Sequence, residues 1–96
     1  MDQAAAHFEA ERSRSLASDL DRRVHSRIGS AIRQRRRDMG LSLRDLARAC
    51  GISLQQIQKY EVGVSSISAA QLWKLAHSLA VPVEHFFEPL DPAQLR

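Results

Sequence analysis

The sequence predicts an all-α fold, a compact five-helix bundle preceded by an N-terminal arm. Three observations carry this. Apolar residues recur at intervals of three, four and seven, the spacing that lines one face of a helix. Serines that can cap a helix and glycines that can stop one alternate along residues 40–68. Valine and isoleucine fall singly, without the period-two alternation of a strand. A chain of 96 residues makes one domain with a modest core.

The elements follow in order. Val24, Ile28, Ala31, Ile32 and Met39 form one apolar row, and Gly40 stops it, so the first helix spans about Arg23 to Asp38. Ser42 caps the second helix, residues 43–50, with Asp45 in the capping-box position and Gly51 at its end. Ser53 caps the third, residues 54–61, which Gly63 closes. After a loop at residues 64–67, Ser68 and Gln71 form the capping box of a fourth helix. Its buried stripe is Leu72, Leu75, Ala76 and Leu79. Pro82 ends that region, Val83 to Phe87 make a last short helix, and Pro89 and Pro92 end the ordered part. Trp73 is expected to be a partly buried packing residue. The domain then occupies residues 23–88, with a short flexible tail at 89–96. Residues 1–22 read as an arm, partly helical or disordered. Ala4 to Arg12 holds good helix formers, and Leu16 and Leu20 continue the row of Val24 and Ile28, so the first helix could instead extend backwards.

Composition narrows the function. The net charge of +3 conceals a central stretch, residues 22–59, that carries +8 between ends of −3 and −2. Such a basic middle presents one positive face to a polyanion, or a solvated arginine-rich helix. Cys50 is the one cysteine, so no internal disulfide forms; it sits at a core position as a small apolar residue. No apolar run approaches the roughly 18 residues that a membrane helix needs. The start Met-Asp-Gln lacks the layout of a signal peptide, and the expected compartment is the cytoplasm. His7, His25, His77 and His85 show no ligand spacing, so neither metal nor cofactor is expected. No nucleophile–base set and no phosphate-binding loop appears, and the glycines read as isolated stops, which argues against an enzyme.

The informative region is Leu43 to Glu61. Ala47 supplies the small residue that two short crossing helices need at closest approach, and Gly51 the positive φ of the tight turn between them. Leu46, Cys50, Ile57 and Tyr60 bury the inner face. Leu54, Gln55, Gln58 and Lys59 are left facing outward, with Gln56 near the edge. Amides and an ammonium with no acid among them suit base edges and phosphates.

The stretches IGSAIRQRRRDMGLS, LARACGIS, QQIQKYEVG and ISAAQLWKLAHSLAVPVEHFF, spanning Ile28 to Phe87, resemble the phage repressor and Cro family of helix-turn-helix regulators, also called the xenobiotic-response-element family. The runs QQIQKYE and VPVEHFFE are especially similar to small regulators of alphaproteobacteria. The resemblance implies a lambda-repressor-like DNA-binding domain whose third helix enters the major groove, usually as a dimer on a palindrome. The implied partner is double-stranded DNA, contacted by Arg33, Arg44, Ser53, Leu54, Gln55, Gln56, Gln58 and Lys59. The chain departs from the family at five places. Leu43 and Leu54 stand where polar contacts are common, Val62 and Val64 where basic residues often flank the glycine, and Ala80 where glycine often ends the fourth helix.

Two structural expectations follow. The family places an arginine and a glutamate at the positions of Arg36 and Glu61, where they pair. Glu61 would otherwise repel phosphates from a DNA-facing helix, and residue 36 continues the inner row of Ile28 and Ile32 while Arg33, Arg35 and Arg37 point elsewhere. Val83, Phe86 and Phe87 carry more apolar surface than one short helix can hide, so one phenylalanine is expected in the core and the other in a homodimer contact. The leading reading is a sequence-specific transcriptional regulator, a repressor. The alternatives are an antitoxin whose arm or tail folds onto a toxin, and a protein-interaction module that has lost DNA binding.

Overall fold

The computed structural model describes the backbone of residues 3–88 and the side chains of residues 18–88. The expected tail at 89–96, and the side chains of residues 1–17 of the arm, lie outside them. Four α-helices and one 3₁₀ turn follow in chain order: α1 (Gln3–Asp38), α2 (Leu43–Cys50), α3 (Leu54–Val62), α4 (Ala69–Ser78) and the turn Val83–Phe86. No strand occurs among the described residues.

The first helix differs from the expected Arg23–Asp38. It begins at Gln3 and runs through residue 22 without a break, the backward extension that the Leu16–Leu20–Val24 row allowed. No proline and no glycine interrupts the chain before Gly29, and alanine, arginine, glutamate and leucine are all good helix formers. The 36 residues reach about 54 Å at a rise of about 1.5 Å each. The expected fifth helix is only a four-residue 3₁₀ turn. Pro82 starts it without a side-chain cap, and Pro89 leaves too little chain for more than one turn.

The core forms where α1 crosses α3 and the 3₁₀ turn, with α2 packed on α3 and α4. Ile32, Leu46, Ile57, Leu75, Leu79 and Phe86 are fully buried. Phe86 is therefore a core residue, which removes it from the surface contact in which it was grouped with Val83 and Phe87; those two are half-buried and pack on the core from outside. Trp73, expected to be partly buried, is 60% exposed and stacks on His77 one turn along α4. Gly29 is not a stop. It lies inside α1 where α3 crosses it, against the carbonyl oxygens of Tyr60 and Glu61.

Each short α-helix starts on a serine. The Ser42 Oγ accepts from the Asp45 amide at 3.0 Å, and the Asp45 carboxylate accepts from the Ser42 amide at 2.9 Å. Those bonds hold the Asp45 carboxyl below the usual aspartate range, the backbone bond most of all. Ser53 and Ser68 cap α3 and α4 through the amides of Gln56 and Gln71, both at 3.1 Å. The box expected at Ser68 is not closed, because the buried Gln71 Oε1 finds no partner. Arg35, expected to point outward, lies half-buried along α1 instead. Its Nε donates to the Leu79 carbonyl at 2.9 Å, an acceptor left open past the end of α4.

All four α-helices end on one motif, a left-handed residue followed by an amide that reaches back five residues. The bonds run from Leu41 to Arg36, Ile52 to Ala47, Val64 to Lys59 and Val81 to Ala76, at 3.0–3.1 Å. Glycine takes the left-handed position at 40, 51 and 63; at 80 it is alanine, with φ 54°. A Cβ in that conformation costs about 1–2 kcal/mol, against about 0.5–1 kcal/mol for glycine's extra unfolded freedom. Ala80 is exposed, so nothing is lost in packing. Ala80→Gly is expected to stabilise the fold by about 0.5–1 kcal/mol, raising Tm by about 3–6 °C. A Tm in calorimetry that stays level or falls would show that Ala80 carries no strain.

Candidate nucleic-acid interface

The site is built from two capped helices and the end of a third. Ala47 is nearly buried and Gly51 turns the chain at φ 67°, so α2 delivers α3 with Ile57 and Tyr60 inward. The opposite side of α3 is then set by register. Gln55 and Lys59, one turn apart, are exposed, as is Gln58. Leu54 and Gln56 are half-buried. Ser53 is exposed, its Oγ accepting the α3 cap bond and its hydroxyl proton still available to a phosphate. Arg44 is exposed in the first turn of α2 and Arg33 along α1.

One depression joins three of these helices. It has a volume of 270 Å³ and is lined by Arg33 and Arg37 of α1, Leu43 of α2, and Gln58 and Val62 of α3, with the Arg36–Glu61 pair behind. It brings Arg33 and Gln58 together and adds Arg37, which was not among the candidate contacts. The i,i+4 spacing of Arg33 and Arg37 was the available signal. Gln55, Lys59, Arg44 and Ser53 do not line it.

The pair itself is bidentate. Arg36 Nε donates to Glu61 Oε2 at 2.6 Å and Nη2 to Oε1 at 3.0 Å, while Nη1 donates to the Leu41 carbonyl at 2.9 Å. The side chains are 11% and 6% exposed. The Glu61 hydrogen bond raises the Arg36 pKa above the ordinary arginine value, burial pulls it back, and the carboxylate charge adds to the rise. The one carboxylate on α3 is thus neutralised, and the outward face of that helix presents amides and an ammonium to solvent. Cys50 Sγ lies 3.7 Å from Ser78 Oγ in the core. Among the described residues no group of three His, Cys, Asp or Glu could hold a metal, and no helix is long and apolar enough to cross a membrane.

Known proteins share this fold. The helix-turn-helix family HTH_3 matches residues 32–86, from the second half of α1 to the 3₁₀ turn. The chain belongs to the HTH_3 family. It is 47% identical over 68 residues to a transcriptional regulator in the ATPase CF(0) region of Rhodospirillum rubrum, a match covering 71% of this chain and 63% of that one. It is 46% identical over 61 residues to an HTH-type transcriptional regulator of Sinorhizobium medicae, covering 64% and 44%. This chain therefore aligns with less than two thirds of either relative. Among solved structures it is similar to the clp gene regulator ClgR of Corynebacterium glutamicum, at 29% identity, TM-score 0.66, and 68% and 69% coverage. The restriction-modification controller protein C.AhdI of Aeromonas hydrophila follows at 27% identity, TM-score 0.62, and 65% and 94% coverage. The HTH_3 fold thus accounts for α2 and α3, and DNA binding is what the family implies for them.

Proposed function

We propose that this chain is a transcriptional repressor that binds double-stranded DNA sequence-specifically as a homodimer, with α3 in the major groove. The observation that carries this is the outward face of α3: Gln55, Gln58 and Lys59 exposed, flanked by Arg33 and Arg37, with its one carboxylate tied to Arg36. Glutamine amides match the N6 and N7 of adenine, and an ammonium matches guanine or a phosphate. Arg33, Arg37 and Arg44 hold the backbone on either side. Two copies with half-sites about 34 Å apart give the specificity that one small module lacks, and Val83 and Phe87 supply part of their contact. Repression then requires only that the bound dimer cover a promoter.

The test is selection from random duplexes, followed by gel shifts on the best site. Six phosphate contacts per dimer give a log–log salt slope of about −5. Gln55→Ala is expected to cost about 1–3 kcal/mol on the selected site and little on random DNA. Equal losses on both would leave Gln55 a backbone contact, and binding that ignores salt would end the DNA reading. Val62, Val64 and Trp73, at 64%, 72% and 60% exposure, favour a second reading as a protein-interaction module, for which the selection enriches nothing.

A further inference from the structure

Leu54 is an apolar residue of α3 that core packing does not explain. It opens α3 directly after the cap Ser53. The apolar pair that anchors this helix entry is Ile52 and Ile57, on either side of the cap; Ile57 is fully buried and Ile52 packs on the core. Leu54 is half-buried, yet it is not among the partly buried apolar residues that pack on the core, which include Leu41, Leu43, Ile52 and Leu72. Its neighbour Gln55 is exposed, and Gln58 follows it one turn on. An apolar side chain therefore stands at the leading end of the face assigned to DNA, half-covered by its surroundings but not packed on the buried core.

That placement selects a base. In the major groove the exposed edges of adenine, guanine and cytosine are polar, and a leucine laid on them strips water without returning a hydrogen bond. The one apolar group there is the 5-methyl of thymine. A thymine–adenine pair displays the methyl beside the adenine N6 and N7, so leucine and a neighbouring glutamine amide can divide one step between them. We propose that Leu54 reads a thymine methyl in each half-site, at or next to the adenine that Gln55 contacts. The inference rests on the DNA-binding reading above and adds the chemical group that one side chain recognises.

The test separates the two. The duplex enriched by selection from random DNA is synthesised with deoxyuridine replacing each thymidine in turn, a change that deletes only the methyl. Loss of one buried methyl is expected to weaken binding about fourfold at one position of a half-site, and about fifteenfold when both symmetric positions are changed. Leu54→Ala should bind thymine and uracil duplexes alike, while Leu54→Met should keep the difference. Leu54→Gln should move the base preferred at that position away from thymine in a repeated selection. The circular-dichroism melt of each variant establishes that it is folded. A selected site on which no uracil matters, or one on which Leu54→Ala keeps the full thymine preference, overturns the proposal and leaves DNA binding standing. A pool that enriches no sequence overturns both.

Discussion

Gly29→Ala is expected to destabilise the domain by about 3 kcal/mol, lowering Tm by about 15 °C. Local propensity predicts the opposite, since alanine inside a helix is better than glycine by about 1 kcal/mol. The crossing decides. A Cβ at position 29 would press on the Tyr60 carbonyl oxygen and stand 2.6 Å from that of Glu61. Those atoms are α3 backbone, so they yield only if the helix moves, and the helix is pinned by Ile57 and Tyr60 in the core. Overpacking against a rigid backbone sits at or beyond the upper end of the usual 1–3 kcal/mol range. Gly40→Ala is the control: its Cβ meets nothing within 4 Å, so only its φ of 69° counts, about 1–2 kcal/mol. Urea melts of both variants rank them. An alanine at 29 that is neutral or stabilising would mean that α1 and α3 do not approach this closely.

Gly29 also marks where sequence reading fails. Its partner lies 31 residues away, and nothing in the local pattern distinguishes a close crossing from a weak helix position. The same holds for Arg35, whose acceptor at Leu79 is 44 residues distant. What could be read was local chemistry. The three serine caps and the glycines at 40, 51 and 63 lie one residue outside or near the helix ends they determine, and α2 and α3 accordingly begin where expected. The start of α1 was ambiguous for a physical reason: residues 3–22 contain no proline or glycine to break a helix, while Ser13, Ser15, Ser18, Asp19 and Asp21 offer several cap residues and none is decisive, so neither length was marked. Phe86 and Phe87 were equivalent on paper because two adjacent residues in a short turn cannot be assigned inward or outward without knowing its pitch. At the site, the register of α3 followed from Ile57 and Tyr60 pointing inward, which leaves Gln55, Gln58 and Lys59 outward. Arg37 was marked in the sequence only by its i,i+4 spacing from Arg33; its place beside Gln58 needed the depression shared by α1, α2 and α3, a feature of tertiary packing.

Glu61→Gln is expected to cost about 3–5 kcal/mol, because it leaves the Arg36 guanidinium buried beside a neutral amide. Arg36→Met should cost a similar amount, now with the carboxylate stranded. The double variant Arg36→Met, Glu61→Leu should lie closer to the native protein than either single one, since two apolar groups of similar volume remove both desolvation costs. A pH titration is a poor substitute. The raised Arg36 pKa means that its contribution is complete below the unfolded arginine value and disappears only as pH rises through the folded one, beyond ordinary conditions. The cycle is therefore read by urea melts at neutral pH, with singles near native stability, or a double worse than both, overturning it. The same variants report on the electrostatics of the face. Arg36→Met removes a positive charge and unmasks a negative one behind Arg33, Arg37 and Gln58, whereas Glu61→Gln removes the only carboxylate on α3. At low salt, and at temperatures where both remain folded, Arg36→Met should bind random duplex DNA more weakly than Glu61→Gln, and the gap should narrow as salt screens it. Equal binding would mean that the pair supports the fold of α3 without shaping the charge that α3 presents.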